Sequence, residues 1–322
     1  MPPRILSYVG YGLLLGGLIL APMLGAYPIF IMKVLCFALF ASAFNLLLGY
    51  AGLLSFGHAA FLGGAAYVAG HAMTVWGWPP EVGLLAGTLT GAALGWVFGV
   101  LAIRRKGIYF SMITLALAQL VFFIAVQSKA TGGEDGLQGV PRGTLFGWVD
   151  LRNDLNMYYV TLAICVLAFL LIARTISSPF GQVLKGVREN EPRAISLGYD
   201  TDRIKLIAFV ISAALSGLAG SLKTLVMGFA TLTDVHWLAS GQVILMTMIG
   251  GVSTLSGPLV GAAVIIVLES KLDQFGVMLS RWSGWSGFQM LGESVTTFMG
   301  VMFIFSVLAF RKGIMGMWQR RR

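Results

Sequence analysis

Charge is scarce in this sequence. Of its 322 residues only 11% are charged, against about 25% in a soluble globular domain, so a separate soluble domain is not expected. Histidine and cysteine are scarcer still, with 3 and 2 residues, and neither forms metal-ligand spacing or a disulfide framework. Cys36 and Cys165 each stand alone in an apolar run and read as packing residues. His71 reads as interfacial. His236 follows Asp234 in an outer connection without a third ligand, which excludes a plausible metal site. Enzyme chemistry lacks its groups as well: the apolar runs hold no paired carboxylates, no His-Glu helix motif and no Gly-x-Ser-x-Gly elbow. Acidic or histidine relays of the kind a proton-coupled carrier places inside its bundle are nearly absent. Nowhere does Gly-Lys precede Ser or Thr, so any ATP must be hydrolysed by a different polypeptide.

What is abundant is apolar surface, at 57% of residues. With about 20 residues per crossing, the chain accommodates roughly eight to ten transmembrane or re-entrant helices as one domain, 1–322: an all-α polytopic membrane protein. The 42 glycines suit helices that approach closely in lipid through small faces. The net charge of +9 comes from Lys and Arg in short connections, the positive-inside pattern, and not from a nucleic-acid surface.

Spans are expected at Ile5–Leu24, Ile29–Leu48, Ala59–Trp76, Val82–Ile103, Gly107–Gln127, Met157–Ala173, Ile204–Met227 and Ser294–Phe310. The first lacks a clean cleavage site before Tyr27-Pro28 and reads as retained. Lys33 can snorkel outward from the second. Arg104-Arg105-Lys106 and the basic segment 174–203 face the cytoplasm, the loop 128–156 faces outward, and both termini are cytoplasmic by parity. Ser240–Glu269 then has to enter and leave on one side, as two apolar halves of about a dozen residues, each short for a crossing, forming either a re-entrant pair or two strongly broken spans. Glu269 and Lys271 close one half at the interface.

Two Gly/Ser-rich interruptions, Gly49–His58 and Gly250–Pro258, occupy corresponding places before and after the basic segment. Paired breaks of this kind point to a substrate path near the midplane, with Gly52, Ser55, Gly57, His58, Gly250, Gly251, Ser256 and Gly257 as candidates. The same glycines equally suit close helix crossing alone. His58 reads as a structural imidazole holding a backbone carbonyl.

The remaining feature is the charged stretch Ser178–Lys205. Ser178 and Pro179 start a helix, Phe180, Val183, Leu184 and Val187 give it one apolar face, and Pro192 stops it. Gln182, Lys185, Arg188 and Glu189 cover the rest. No surface of its own chain is evident to bury the stripe, so the helix lies on lipid, packs under the bundle or enters a partner's groove.

The run SSPFGQVLKGVRENEPRAISLGYDTDRIKLIAFVISAALSGLAGSL resembles the coupling loop and following span of the branched-chain amino acid family of ABC-importer permeases, the LivM-type subunit. GYAGLLSFGHAAFLGGAAY and MIGGVSTLSGPLVGAA resemble recurrent motifs of the same family, and TGGEDGL its extracellular loop. Gly186 stands where Ala is expected, and Lys223 where a small or aromatic residue is common. The resemblance implies an ABC-importer permease fold in the bacterial inner membrane and a loop that docks on an ATPase, with Phe180, Val183, Leu184, Val187, Arg188, Glu189 and Glu191 as coupling residues. It further implies a second, LivH-like permease, two ATPase subunits carrying ATP and magnesium, a periplasmic substrate-binding protein, and no cofactor in this chain. Glu134 and Asp135 are candidates to meet basic residues on that binding protein. Branched-chain amino acids are the implied solute; urea, short amides or another small polar solute, and a stand-alone secondary carrier, are the alternatives.

Overall fold

The computed structural model describes residues 12, 14–283, 300–301, 304 and 313–315. Of the expected first span, residues 14–20 are helical (α1), with a turn over 21–25; its earlier residues and most of Ser294–Phe310 lie outside the described residues. Five described helices are long and apolar enough to cross a membrane. They are α2 (Pro28–Asn45, continued by a π-helical turn over Leu46–Ala51), α4 (Pro80–Ala102), α5 (Ile108–Gln127), α6 (Asp154–Ser177) and α9 (Thr201–Met227). Between them lie α3 (His58–Thr74), α7 (Pro179–Glu189) and α8 (Glu191–Ser196), and after them α10 (Leu232–Val235), α11 (Trp237–Gly250) and α12 (Gly257–Ser283).

Local chemistry explains the boundaries. Pro28 and Pro80 occupy first-turn positions of α2 and α4, where no helical N–H is needed. Asn153, Ser178, Asn190 and Asp200 cap α6, α7, α8 and α9 by accepting backbone N–H groups of the first turn. The connection 128–153 is not plain coil. It carries two single 3-10 turns, a pair of two-residue strands β2 (Thr144–Leu145) and β3 (Val149–Asp150), and β1 (Leu137–Gln138), which pairs antiparallel with β4 (Phe229–Ala230) beyond α9.

Buried residues concentrate on α2, α3 and α9, which make the centre of the bundle. The contact of α4 with α9 is set by small residues: Gly87, Gly91, Gly95 and Gly99 recur every fourth position, on one helix face. A Cβ on Gly91 would stand 2.6 Å from the Ala213 carbonyl oxygen and 2.9 Å from Gly217 Cα, so the two backbones pack directly.

The region 240–269 departs from expectation. Its first limb, α11, has 14 residues, but its second, α12, has 27 and runs past Glu269 and Lys271 without ending. Gln242 donates to the Glu269 carboxylate at 3.1 Å, joining the two limbs. The hairpin therefore pairs a short limb with a full-length one. Two short halves misjudged it because the single carboxylate at Glu269 has a partner inside the hairpin and need not mark an interface.

Candidate functional site

The two sequence interruptions meet each other, and they do so on α7. The Arg188 guanidinium donates to the Gly49 carbonyl and, at 2.7 Å, to the Ser253 hydroxyl. That hydroxyl donates in turn to the Gly49 carbonyl at 2.7 Å. Around this contact the breaks are stitched together: Asn45 donates to the Thr254 carbonyl at 2.8 Å and accepts from the Ser253 N–H at 3.1 Å, while the Tyr50 hydroxyl donates to the Ser253 carbonyl at 3.1 Å. Non-helical backbone exposes polar groups that lipid cannot satisfy, and here side chains of the facing break satisfy them. Gly52 has φ of +73° and faces the Arg188 stem, which a Cβ would approach to 2.9 Å. A side chain there would disturb both the turn and the arginine.

The apolar stripe of α7 is covered by its own chain. Leu184 and Val187 are 0% and 2% exposed, Phe180 and Val183 are half-buried, and Leu184 belongs to the main hydrophobic core. Of the three placements open to the stripe, packing under the bundle is the one found: the π-helical turn and the end of α6 pack against it. The sequence could not show this, because the covering residues are more than a hundred positions away in the case of the π-helical turn. Pro179, Gln182, Gly186, Arg188 and Glu189 are the exposed residues of α7, and Asn190 just beyond it is exposed too. Lys185 holds its ammonium 5.6 Å from the centre of the Tyr50 ring.

Glu191, at the start of α8, accepts from Lys205 at 2.5 Å and pairs with Lys106 at 3.0 Å. Burial raises its pKa, but the hydrogen bonds and charges of the two lysines outweigh that and hold the carboxyl below its ordinary value of 4.5. It thus ties α8 to α9 and to the connection between α4 and α5.

The other candidates are spread along the bundle. Gly250, Gly251, Ser256 and Gly257 sit with Gly49 and Gly52 at the α7 end, which places the second break at an end of the bundle and not midway along it. Gly257 donates to Thr254 Oγ1 at 3.1 Å and a Cβ on Gly250 would lie 3.1 Å from Gly261 N, so these glycines close the α11–α12 hairpin. Ser256 edges an apolar cavity of about 290 Å³ that also has Ser42, Leu39, Cys165 and Leu259 in its wall.

The first break continues away from α7. Ser111 donates to the Leu54 carbonyl at 2.6 Å, the Phe56 N–H donates to Thr114 at 3.1 Å, and Ser240 donates to the Phe56 carbonyl at 2.7 Å. Ser55, 0% exposed, accepts from Gly57 N. His58, the first residue of α3, faces the middle of α9, its Nε2 2.9 Å from Ser212 Oγ, within a ring of Phe40, Phe44, Phe61 and Phe209. Because the Ser212 hydroxyl donates to the Ala43 carbonyl at 2.6 Å, the imidazole donates to it, so His58 reaches that carbonyl only through Ser212. Glu134 and Asp135 are exposed in a 3-10 turn at the opposite end from α7. Asn45, Tyr50 and Ser253 were not legible as site residues; an asparagine inside an apolar run was the one available signal.

Among the described residues no group of three or more His, Cys, Asp or Glu side chains is placed to hold a metal ion. Residues 26–307 match the family described as branched-chain amino acid transport system, permease component. The high-affinity branched-chain amino acid transport permease protein LivM of Escherichia coli strain K12 is 28% identical over 259 residues, covering 72% of this chain and 60% of that protein. The probable branched-chain amino acid transport permease protein LivH of Methanocaldococcus jannaschii is 26% identical over 163 residues, 50% of this chain and 48% of the relative. The autoinducer 2 import system permease protein LsrC of Salmonella choleraesuis is 27% identical over 219 residues, 66% of this chain and 60% of the relative. The matched region therefore spans less than two thirds of these relatives. No solved structure matches.

Proposed function

The chain belongs to the branched-chain amino acid transport permease family, and from that premise we propose that it is a membrane-spanning subunit of an ATP-driven importer for branched-chain amino acids. The solute is read from the LivM relatives; the similarity to an autoinducer 2 permease means that the scaffold alone does not specify it. In this reading the chain works with a second, LivH-like permease, two ATPase subunits that bind ATP and magnesium, and a substrate-binding protein that docks near Glu134 and Asp135. Nine Lys and Arg crowd the α7 end, at 104–106, 174, 185, 188, 193, 203 and 205, against three, Lys129, Arg142 and Arg152, in the connection 128–153 at the other. This asymmetry supports a cytoplasmic α7 end, in the bacterial inner membrane.

The observation that carries the coupling mechanism is the reach of Arg188 from α7 to both breaks at once. The buried stripe of Leu184 and Val187 fixes α7 to the bundle, so the exposed side with Gln182 and Glu189 is what remains to meet an ATPase. Movement of the ATPases is passed through Arg188 to Gly49 and Ser253, where two broken helices can shift with little loss of helical hydrogen bonding.

The test is affinity purification of the native assembly in mild detergent. ATPase subunits are expected to accompany this chain, and Gln182→Arg with Glu189→Arg is expected to release them while the chain stays folded. A chain that purifies alone and moves solute in ATP-free liposomes would establish a stand-alone carrier instead.

A further inference from the structure

Of the four ion pairs among the described residues, only Lys223–Asp234 has both side chains less than a tenth exposed, at 9% and 8%. Asp234 lies in the connection between α9 and α11, as expected. It is buried there in α10, where its second oxygen accepts from the Thr231 N–H at 3.3 Å and the Thr231 hydroxyl at 3.2 Å. The Lys223 ammonium sits 6.0 Å from the Phe37 ring centre and 5.9 Å from that of Phe229. Beside the pair, Tyr67 packs on Ala230 and Val235, and its buried hydroxyl has no hydrogen-bond partner. Ionisable groups this deep in a membrane bundle are costly to keep and mark function more often than packing.

The backbone around the pair is also irregular. After Gly228, with φ of +77°, the chain makes a two-residue strand, a four-residue helix and then α11. Val235 N lies where a Cβ on Gly63 would come within 2.6 Å, so the segment 228–236 is wedged against α3. Lys223 is the charged tie that holds it to α9.

We propose that Lys223 and Asp234 are a latch that a zwitterionic solute opens by taking up both charges, its carboxylate on Lys223 and its ammonium on Asp234, with the Tyr67 hydroxyl available to the same carboxylate. The inference rests on the importer reading and names the chemistry its path selects. Parting the pair unaided strands two charges in apolar surroundings. An α-amino acid carries its two opposite charges on groups bonded to one carbon, so each protein charge changes partner without standing alone. A monocarboxylate or a simple amine compensates one charge only, and urea compensates neither. The latch therefore favours amino acids over the amide-type solutes.

The test is hydrogen exchange of the amides in 228–236, in the native assembly in lipid nanodiscs, with leucine, leucinamide, 4-methylpentanoate or urea at millimolar concentration. Leucine is expected to raise exchange severalfold, and the other three to leave it unchanged. Lys223→Met with Asp234→Leu removes both charges without leaving either unpaired, and is expected to abolish the leucine response. An equal response to leucine and a singly charged analogue, a response retained by the double variant, or no response in the native assembly overturns the latch. ATP-dependent leucine uptake by the native assembly is measured alongside. Its absence refutes the importer reading, whereas uptake with an unresponsive segment refutes the latch alone.

Discussion

Replacing Arg188 by Met keeps much of the aliphatic stem beside Gly52 and removes the guanidinium that joins α7 to Gly49 and Ser253. A hydrogen bond to a charged group contributes about 1.5–3 kcal/mol. Arg188 is exposed along part of its length, so the low end applies, and the two bonds together come to about 2–3 kcal/mol. If that free energy is what α7 transmits to the breaks, uptake per ATP hydrolysed should fall by about 30- to 150-fold. Hydrolysis itself should persist, because Gln182 and Glu189, the side chains offered to the ATPase, are untouched. Arg188→Lys should fall between, since one ammonium cannot reproduce the fork that serves two acceptors. Ser253→Ala, which removes one acceptor of Arg188 together with the hydroxyl's own bond to Gly49, should cost ~1–2 kcal/mol, or about five- to thirtyfold. The assay is the reconstituted assembly in liposomes, with solute uptake and phosphate release measured on the same vesicles. Native uptake per ATP in Arg188→Met would falsify the account, as would parallel loss of hydrolysis and uptake, which would mean that Arg188 only holds the ATPase contact together.

Two further outcomes follow from the packing and the charges. The depressed Glu191 carboxyl binds fewer protons folded than unfolded, so its stabilisation is present above the ordinary value of 4.5 and is lost as pH falls through the lower folded value. Protease cleavage within 190–200 should accordingly accelerate as pH is lowered below 4.5, and Glu191→Gln should cleave faster at neutral pH with that acid dependence gone. Gly91→Val sets carbon atoms against the α9 backbone at Ala213 and Gly217, an overpacking cost of ~1–3 kcal/mol that no rotamer relieves. It should lower the thermal midpoint in detergent, whereas Gly186→Ala, with open space around its Cβ, should leave it equal or higher.

Much of the fold was legible because span detection depends on local sums. Runs of apolar residues long enough to cross a membrane, prolines at first turns and a Ser-Pro cap before α7 are each read within one or two turns of chain. The same locality explains the misreading at 240–269. Read locally, Glu269 marks an end, but its partner Gln242 is 27 positions away. The glycines of both breaks were also legible, as places where a helix stops. What they do was not, since Gly49–Gly52 and Gly250–Gly257 differ from ordinary packing glycines only in what lies opposite them.

Composition and pattern by themselves determined a polytopic all-α membrane chain with two breaks, a capped amphipathic helix between spans, and no catalytic or metal-binding set. Only the tertiary structure decided which side of that helix is free, that Arg188 reaches both breaks, and that Asp234 lies buried against Lys223. The reason is distance along the chain. Hydropathy and periodicity act over a few residues, whereas Asn45 and Thr254 are 209 positions apart and Arg188 and Gly49 are 139. A polar group in an apolar run announces that it needs a partner, and the packing of the bundle determines which one it finds.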